Sequence, residues 1–167
     1  PDIIAKAMAA EVDRVALFGT GVAPQPRGVL NFTGLTSNSF AGGAITSYTS
    51  LITARTALRT ANSDVTAYIM HPRDEGTFAG LTAQDDPPLM VPPAIANVPR
   101  LTTTTVPINL GAGTNESAIL AGDWSKLLVG FRNQLRIEIL RERFADLHQY
   151  AFVAHLRADV VGEHEKA

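Results

Sequence analysis

The chain contains no cysteine, which excludes a disulfide framework, a thiolate metal site and a cysteine nucleophile. Lysine is almost as scarce. It stands only at Lys6, Lys126 and Lys166, so nearly all positive charge is arginine. Arginine pairs with carboxylates in a planar, two-point fashion, which suits protein–protein contacts better than a lysine-dotted surface does. A dominant sign of charge is also lacking: the formal net charge is -2 over 167 residues. No basic block is present to neutralise nucleic-acid phosphates at high affinity. No apolar run approaches the roughly 20 residues of a spanning helix, so no membrane partner is implied.

The residues that are present can build a core, because 46% of them are hydrophobic and the length suits one domain or two small intertwined ones. The chain opens at Pro1-Asp2 inside what already reads as a helix. A fragment whose N-terminal part is absent is therefore expected. Ile4, Met8, Val12 and Val15 fall on one stripe, with Lys6, Asp13 and Arg14 off it, which predicts an amphipathic helix over 2–18. Gly19 follows where a helix favours a left-handed residue.

Residues 21–47 are rich in Gly, Pro, Asn, Ser and Thr and read as a long loop, with one short extended piece at 28–32. A second helix is predicted over 47–61, with Arg55 and Arg59 exposed and Asn62-Ser63-Asp64 ending it. Residues 65–70 form a short apolar run between turn residues, as a buried strand does. In "HPRDEGTFAGL", Pro72 suits a first helical position and Asp74 and Glu75 the first turn. Five prolines between 82 and 99 predict an extended surface connection, neither helix nor central strand.

Residues 101–110 read as β-rich and "GAGTNES" as a turn. Residues 118–122 and 127–131 read as short strands around Asp123-Trp124-Ser125. In "LRIEI" apolar and charged residues alternate. On a final long strand Tyr150, Phe152, Ala154, Leu156, Ala158 and Val160 share one face, and Val153, His155, Arg157 and Asp159 the other. With helices first and sheet last, the class is α+β. No internal repeat is seen.

Few of these residues form a chemical constellation. In "LFGTGVAPQPRGVLN" a helix precedes the glycines, Pro24 holds the third glycine position, and the prolines remove the N–H donors of a phosphate loop. The stretch is therefore punctuation and no dinucleotide fingerprint. No Gly-Lys-Ser/Thr or Gly-x-Ser-x-Gly occurs. His71, His148, His155 and His164 show no ligand spacing. Asp85-Asp86 reads as a solvated pair, the alternative being a general acid/base couple. "RIEILRER" is either a solvated strand edge or a subunit contact made of arginine–carboxylate pairs. No catalytic, cofactor or metal residue is assigned.

Taken in order, several segments resemble the major capsid protein family of tailed bacteriophages, the Hong Kong 97 type. "AAEVDRVALFGTGVAPQPRGVLN" resembles the family's helix ending in an Asp and its glycine–proline loop, through Asp13, Gly19, Gly21, Pro26, Gly28 and Val29. "AYIMHPRDEGTFAGL" resembles its strand, Asn-Pro-Arg-Asp and helix, with His71 in place of Asn. "NVPRLTTTTVP", "AILAGDWSKLLVGFRNQLRIEIL" and "QYAFVAHLRADVVGEHEKA" resemble its later strands. The resemblance covers nearly the whole chain.

The resemblance implies the end of a peripheral-domain helix in 1–18, an axial domain in 19–115, and return strands of the sheet in 116–167. The family's N-terminal arm and extended loop are missing, and no cross-linking residue is carried over. A structural, non-enzymatic subunit without cofactor is implied. It would assemble with copies of itself into pentamers and hexamers of an icosahedral shell around double-stranded DNA, and touch that DNA weakly and without sequence preference. Scaffold, protease and portal proteins are further implied partners. The implied location is the virion, and the host cytoplasm during assembly. Arg132, Arg136, Arg141 and Arg143 are the candidate intersubunit residues. The alternatives are an encapsulin-type nanocompartment shell, a small α+β enzyme or ligand-binding module, and a decoration protein on a virion.

Overall fold

In the computed structural model of the protein, residues 2–40, 43–83 and 87–163 are described. Asp85, Asp86, His164 and Lys166 lie outside them. Helix α1 spans Asp2–Phe18, as its apolar stripe predicts. Ile4, Met8, Val12 and Val15 are only half-buried, and Ala16 and Leu17 in the last turn go fully inside. The helix stops at Gly19, but not in the expected left-handed conformation, since the left-handed glycine here is Gly21, at φ 75°. Gly19 keeps a helical bond to the Val15 carbonyl at 2.8 Å. A Cβ on it would collide with the Pro26 and Val15 carbonyl oxygens. Close backbone approach, and no special dihedral, requires glycine there.

The central packing unit follows. Helix α2 (Thr49–Thr60), strand β1 (Ala67–Met70) and helix α3 (Pro72–Ala79) come in the predicted order. Tyr48, Leu51, Val65, Tyr68, Met70, Phe78, Ile95 and Val98 form the buried cluster. Tyr48 stacks on Phe78 with ring centroids 5.5 Å apart. The two buried phenols are satisfied: Tyr48 donates to the Phe78 carbonyl and Tyr68 to the Leu51 carbonyl, each at 3.1 Å. Buried hydroxyls without partners would cost about 1–3 kcal/mol apiece.

Strand β1 is the middle of a three-stranded sheet. It runs parallel to β2 (Arg100–Thr102) and antiparallel to β3 (Leu120–Gly122). The parallel pair needs a crossover, and α3 with residues 80–99 supplies it. That segment is not wholly extended: Pro93–Ala96 forms one helical turn, α4, which buries Ile95. Residues 28–32 are likewise not extended, because Val29–Asn31 is a 3-10 turn. Of the β-rich reading over 101–110, only Leu101 and Thr102 lie in a strand.

The last third of the chain forms a long antiparallel ribbon. The two strands read separately at 127–131 and 135–139 are one, β4 (Leu127–Leu140), paired with β5 (Ala151–Gly162). Two irregularities, between Phe131 and Asn133 and between Asn133 and Arg136, join the halves. Between Phe131 and Ile137, β4 spends two more residues than β5 does. Because side chains alternate, one extra residue would invert the faces, and two restore them. Helix α1 rests against β5.

A candidate assembly surface

Cross-strand partners point to the same side of a ribbon, so the register assigns its faces. One face carries Val129/Val160, Phe131/Ala158, Ile137/Ala154 and Ile139/Phe152, with Leu156 between them. It is apolar from base to tip. The other is polar along its middle, with Gly130/Asp159, Asn133/Arg157, Arg136/His155 and Glu138/Val153, and ends in the apolar pairs Leu128/Val161 and Leu140/Ala151. At its base Val160 is buried, but from Phe131 to the tip the large side chains of the apolar face are open. Phe131 is 59% exposed, Phe152 60%, Ile139 52% and Ile137 41%. Single exposed apolar side chains are ordinary; a contiguous row of them on a regular element marks an interaction surface.

The four candidate arginines all belong to this ribbon or its turn, and all are exposed. They are not gathered in one cluster. Arg132 sits in the first irregularity, and Arg136 lies opposite His155 on the polar face. Arg141 and Arg143 follow the end of β4. Arg136 already holds Glu138 of its own strand at 2.8 Å, and the Arg143 guanidinium lies 5.6 Å from the Phe144 ring centroid. The apolar alternation of β5 was legible in the sequence. That its face stays open was not, because openness depends on what packs against it.

Elsewhere many polar groups are engaged. The amide of Gly19 binds Val15, that of Gly21 binds the Pro26 carbonyl at 3.2 Å, and that of Gly28 binds the Gly19 carbonyl at 2.9 Å. Asn31 Nδ2 donates to the same Gly19 oxygen at 2.7 Å. This loop closes on itself and has no row of free N–H groups for a phosphate, which agrees with reading it as punctuation. His71 caps α3, its Nδ1 accepting from the Arg73 amide at 3.0 Å. An imidazole nitrogen thus plays the part that an Asn, Asp or Ser oxygen commonly plays at a helix start. His148 sits in the ribbon turn at φ 51° and His155 on the exposed polar face. Among the described residues no three His, Asp or Glu side chains gather as a metal site.

A groove of about 1150 Å³ runs between residues 29–40 and 43–45, α2 and β3. Some of its polar side chains are already engaged: Ser117 binds Asp74, and Lys126 Nζ donates to Ser63 Oγ at 3.0 Å and pairs with Asp123. Beside α2, Asp64 is clasped by Arg55 at 2.9 Å and Arg59 at 2.8 Å. Those guanidinium bonds, Arg55 first, hold its carboxyl far below the usual range. Arg55 is half-buried by this contact and not fully exposed as expected.

The described residues thus offer an open apolar ribbon on a small α+β core. In comparison with solved structures, the chain matches one in "Capsid of empty GTA particle computed with C5 symmetry" with a TM-score of 0.68 and 20% identity. The match covers 97% of this chain and 60% of that one, so the chain spans about three fifths of the neighbour's length. The fold is thus the phage-capsid, Hong Kong 97-like one. No curated protein matches. The model of the phage capsid family matches residues 2–167, and the chain belongs to that family.

Proposed function

We propose that the chain is a structural subunit of a tailed-phage or prophage head, built to be tiled against copies of itself. The observation that carries this reading is the open apolar face of the β4–β5 ribbon. Family membership and the likeness to a particle capsid support it. In this reading residues 1–18 end a peripheral helix, 19–115 form the axial domain, and 116–167 return to the peripheral sheet. Copies meet head to tail around five- and sixfold axes, where rotation closes the ring. Each contact is weak, and closure makes the sum strong while leaving single contacts reversible during assembly.

The role is structural and not catalytic. Near-neutral charge suits it, since a strongly basic lining would retain packaged DNA. Scaffold, protease and portal proteins are the further partners, and assembly takes place in the host cytoplasm. Arg136 on the polar face, Arg132 in the first irregularity, and Arg141 and Arg143 at the turn supply charged contacts around the apolar seam. Reversing Arg136 and Arg141 to Glu together is expected to abolish shells or ring-shaped capsomers in electron micrographs while leaving thermal unfolding of the chain unchanged. Normal particles from that double variant would overturn the assignment of these arginines.

A further inference from the structure

The segment between β2 and β3, residues 103–119, is a long excursion that leaves the sheet and returns to its other edge. It contributes one fully buried side chain, Val106, at 1% exposure. Yet it is fixed at several points. The Thr103 amide donates to the Met70 carbonyl at 3.0 Å, and Leu110 and Glu116 exchange backbone bonds at 2.9 and 3.1 Å. Its returning limb is held from outside by α3. Arg73 Nη2 donates to the Asn115 carbonyl at 3.3 Å and to Ser117 Oγ at 3.0 Å. Ser117 Oγ in turn donates to Asp74 Oδ2 at 2.6 Å. Asp74 is 4% exposed, the one buried charged residue among those described, and Arg73 Nε lies 3.5 Å from its other oxygen.

A carboxylate so enclosed is costly unless every lone pair is answered. Here the answer comes from the excursion, 43 residues away in sequence. One serine accepts from Arg73 and donates to Asp74, so the hydroxyl is oriented at both ends. His71 capping and Pro72 at the first helical position set the backbone from which Arg73 and Asp74 project. A helix end has therefore been turned into a clasp on a distant loop.

Resting on the reading of the chain as a shell subunit, we propose that Arg73, Asp74 and Ser117 form a latch that fixes the attitude of residues 103–117 for assembly. These are positioning residues, and they act through the loop they hold. A neighbour meets a surface whose loop is already ordered, so less conformational freedom is lost on contact.

The test compares Ser117→Ala, which removes the hydroxyl, with Ser117→Thr, which keeps it, in the full chain. Hydrogen exchange is read on amides 103–117 and on β1, and particle formation is read by electron microscopy. Ser117→Ala is expected to speed exchange in 103–117 by about tenfold, the factor one charge-assisted bond is worth. Amides of β1 should keep their protection and closed particles should become rare or misshapen, with Ser117→Thr restoring both. Unchanged exchange in 103–117 would overturn the latch. Loosened exchange with normal particles would overturn its role in assembly. Should the unaltered chain form no particles, the shell reading fails, while the exchange arm still decides whether the latch exists.

Discussion

Replacing Phe131 and Phe152 by Thr probes the ribbon directly. Both rings lie on the apolar face and are 59% and 60% exposed. A phenylalanine offers on the order of 200 Å², so about 120 Å² of each ring is open to water. Covering that area with a neighbouring copy is worth about 3 kcal/mol at 25 cal/mol per Å². Threonine retains one methyl and a strand preference, leaving a loss of about 2 kcal/mol per ring, or roughly thirtyfold in a contact's affinity. Light scattering against protein concentration should show the assembly threshold raised at least tenfold for either variant. Thermal unfolding of the dispersed chain should move by no more than about 4 °C, because solvent already reaches these rings. An unchanged threshold, or a melting temperature lower by well over that amount, would refute the reasoning. The second result would mean that the rings hold the chain's own fold together.

Gly28→Ala should destabilise by about 3 kcal/mol, since the added methyl meets the backbone of Gly19, Phe18 and Leu17, which cannot swing aside. Gly76→Ala, within α3 and with nothing near its Cβ, should stabilise by up to about 1 kcal/mol, and chemical denaturation of the two separates them. For Asp64 the depressed folded-state value means stability that is present above the unfolded carboxyl pKa of about 3.9 and lost as pH falls below it. Melting curves from pH 6 to pH 2 should therefore fall more steeply for the unaltered chain than for Asp64→Asn. Parallel curves would show that the clasp contributes nothing.

Where local chemistry decides, the sequence was a sound guide. The stripe of α1 marked both its bounds and Pro72 marked the start of α3, because periodicity and a terminal proline act within one or two turns. The errors have equally local causes. Pro92 and Pro93 forbid a helix interior, but proline is welcome at a helix start, and α4 begins on that pair. Gly19 stands at a helix end for room and not for its dihedral, and nothing in the local pattern separates the two. Polar Asn133 and Gln134 look like a break between strands, whereas irregular pairing absorbs them inside β4. As for the surface, the arginines and the alternation were visible, but the openness of the apolar face and the bond from Ser117 to Asp74 depend on tertiary contacts. No window of neighbouring residues encodes them.

The paired irregularities of β4 carry a consequence for how this part of the chain can vary. Length changes between Phe131 and Ile137 are tolerable only in even steps. A lone inserted or deleted residue would roll the outer half of the hairpin over, turning its greasy side toward water and its charged side toward the next tile. Relatives that differ in length here should therefore differ by two, and a single-codon slip should cost the particle while leaving the core beneath intact.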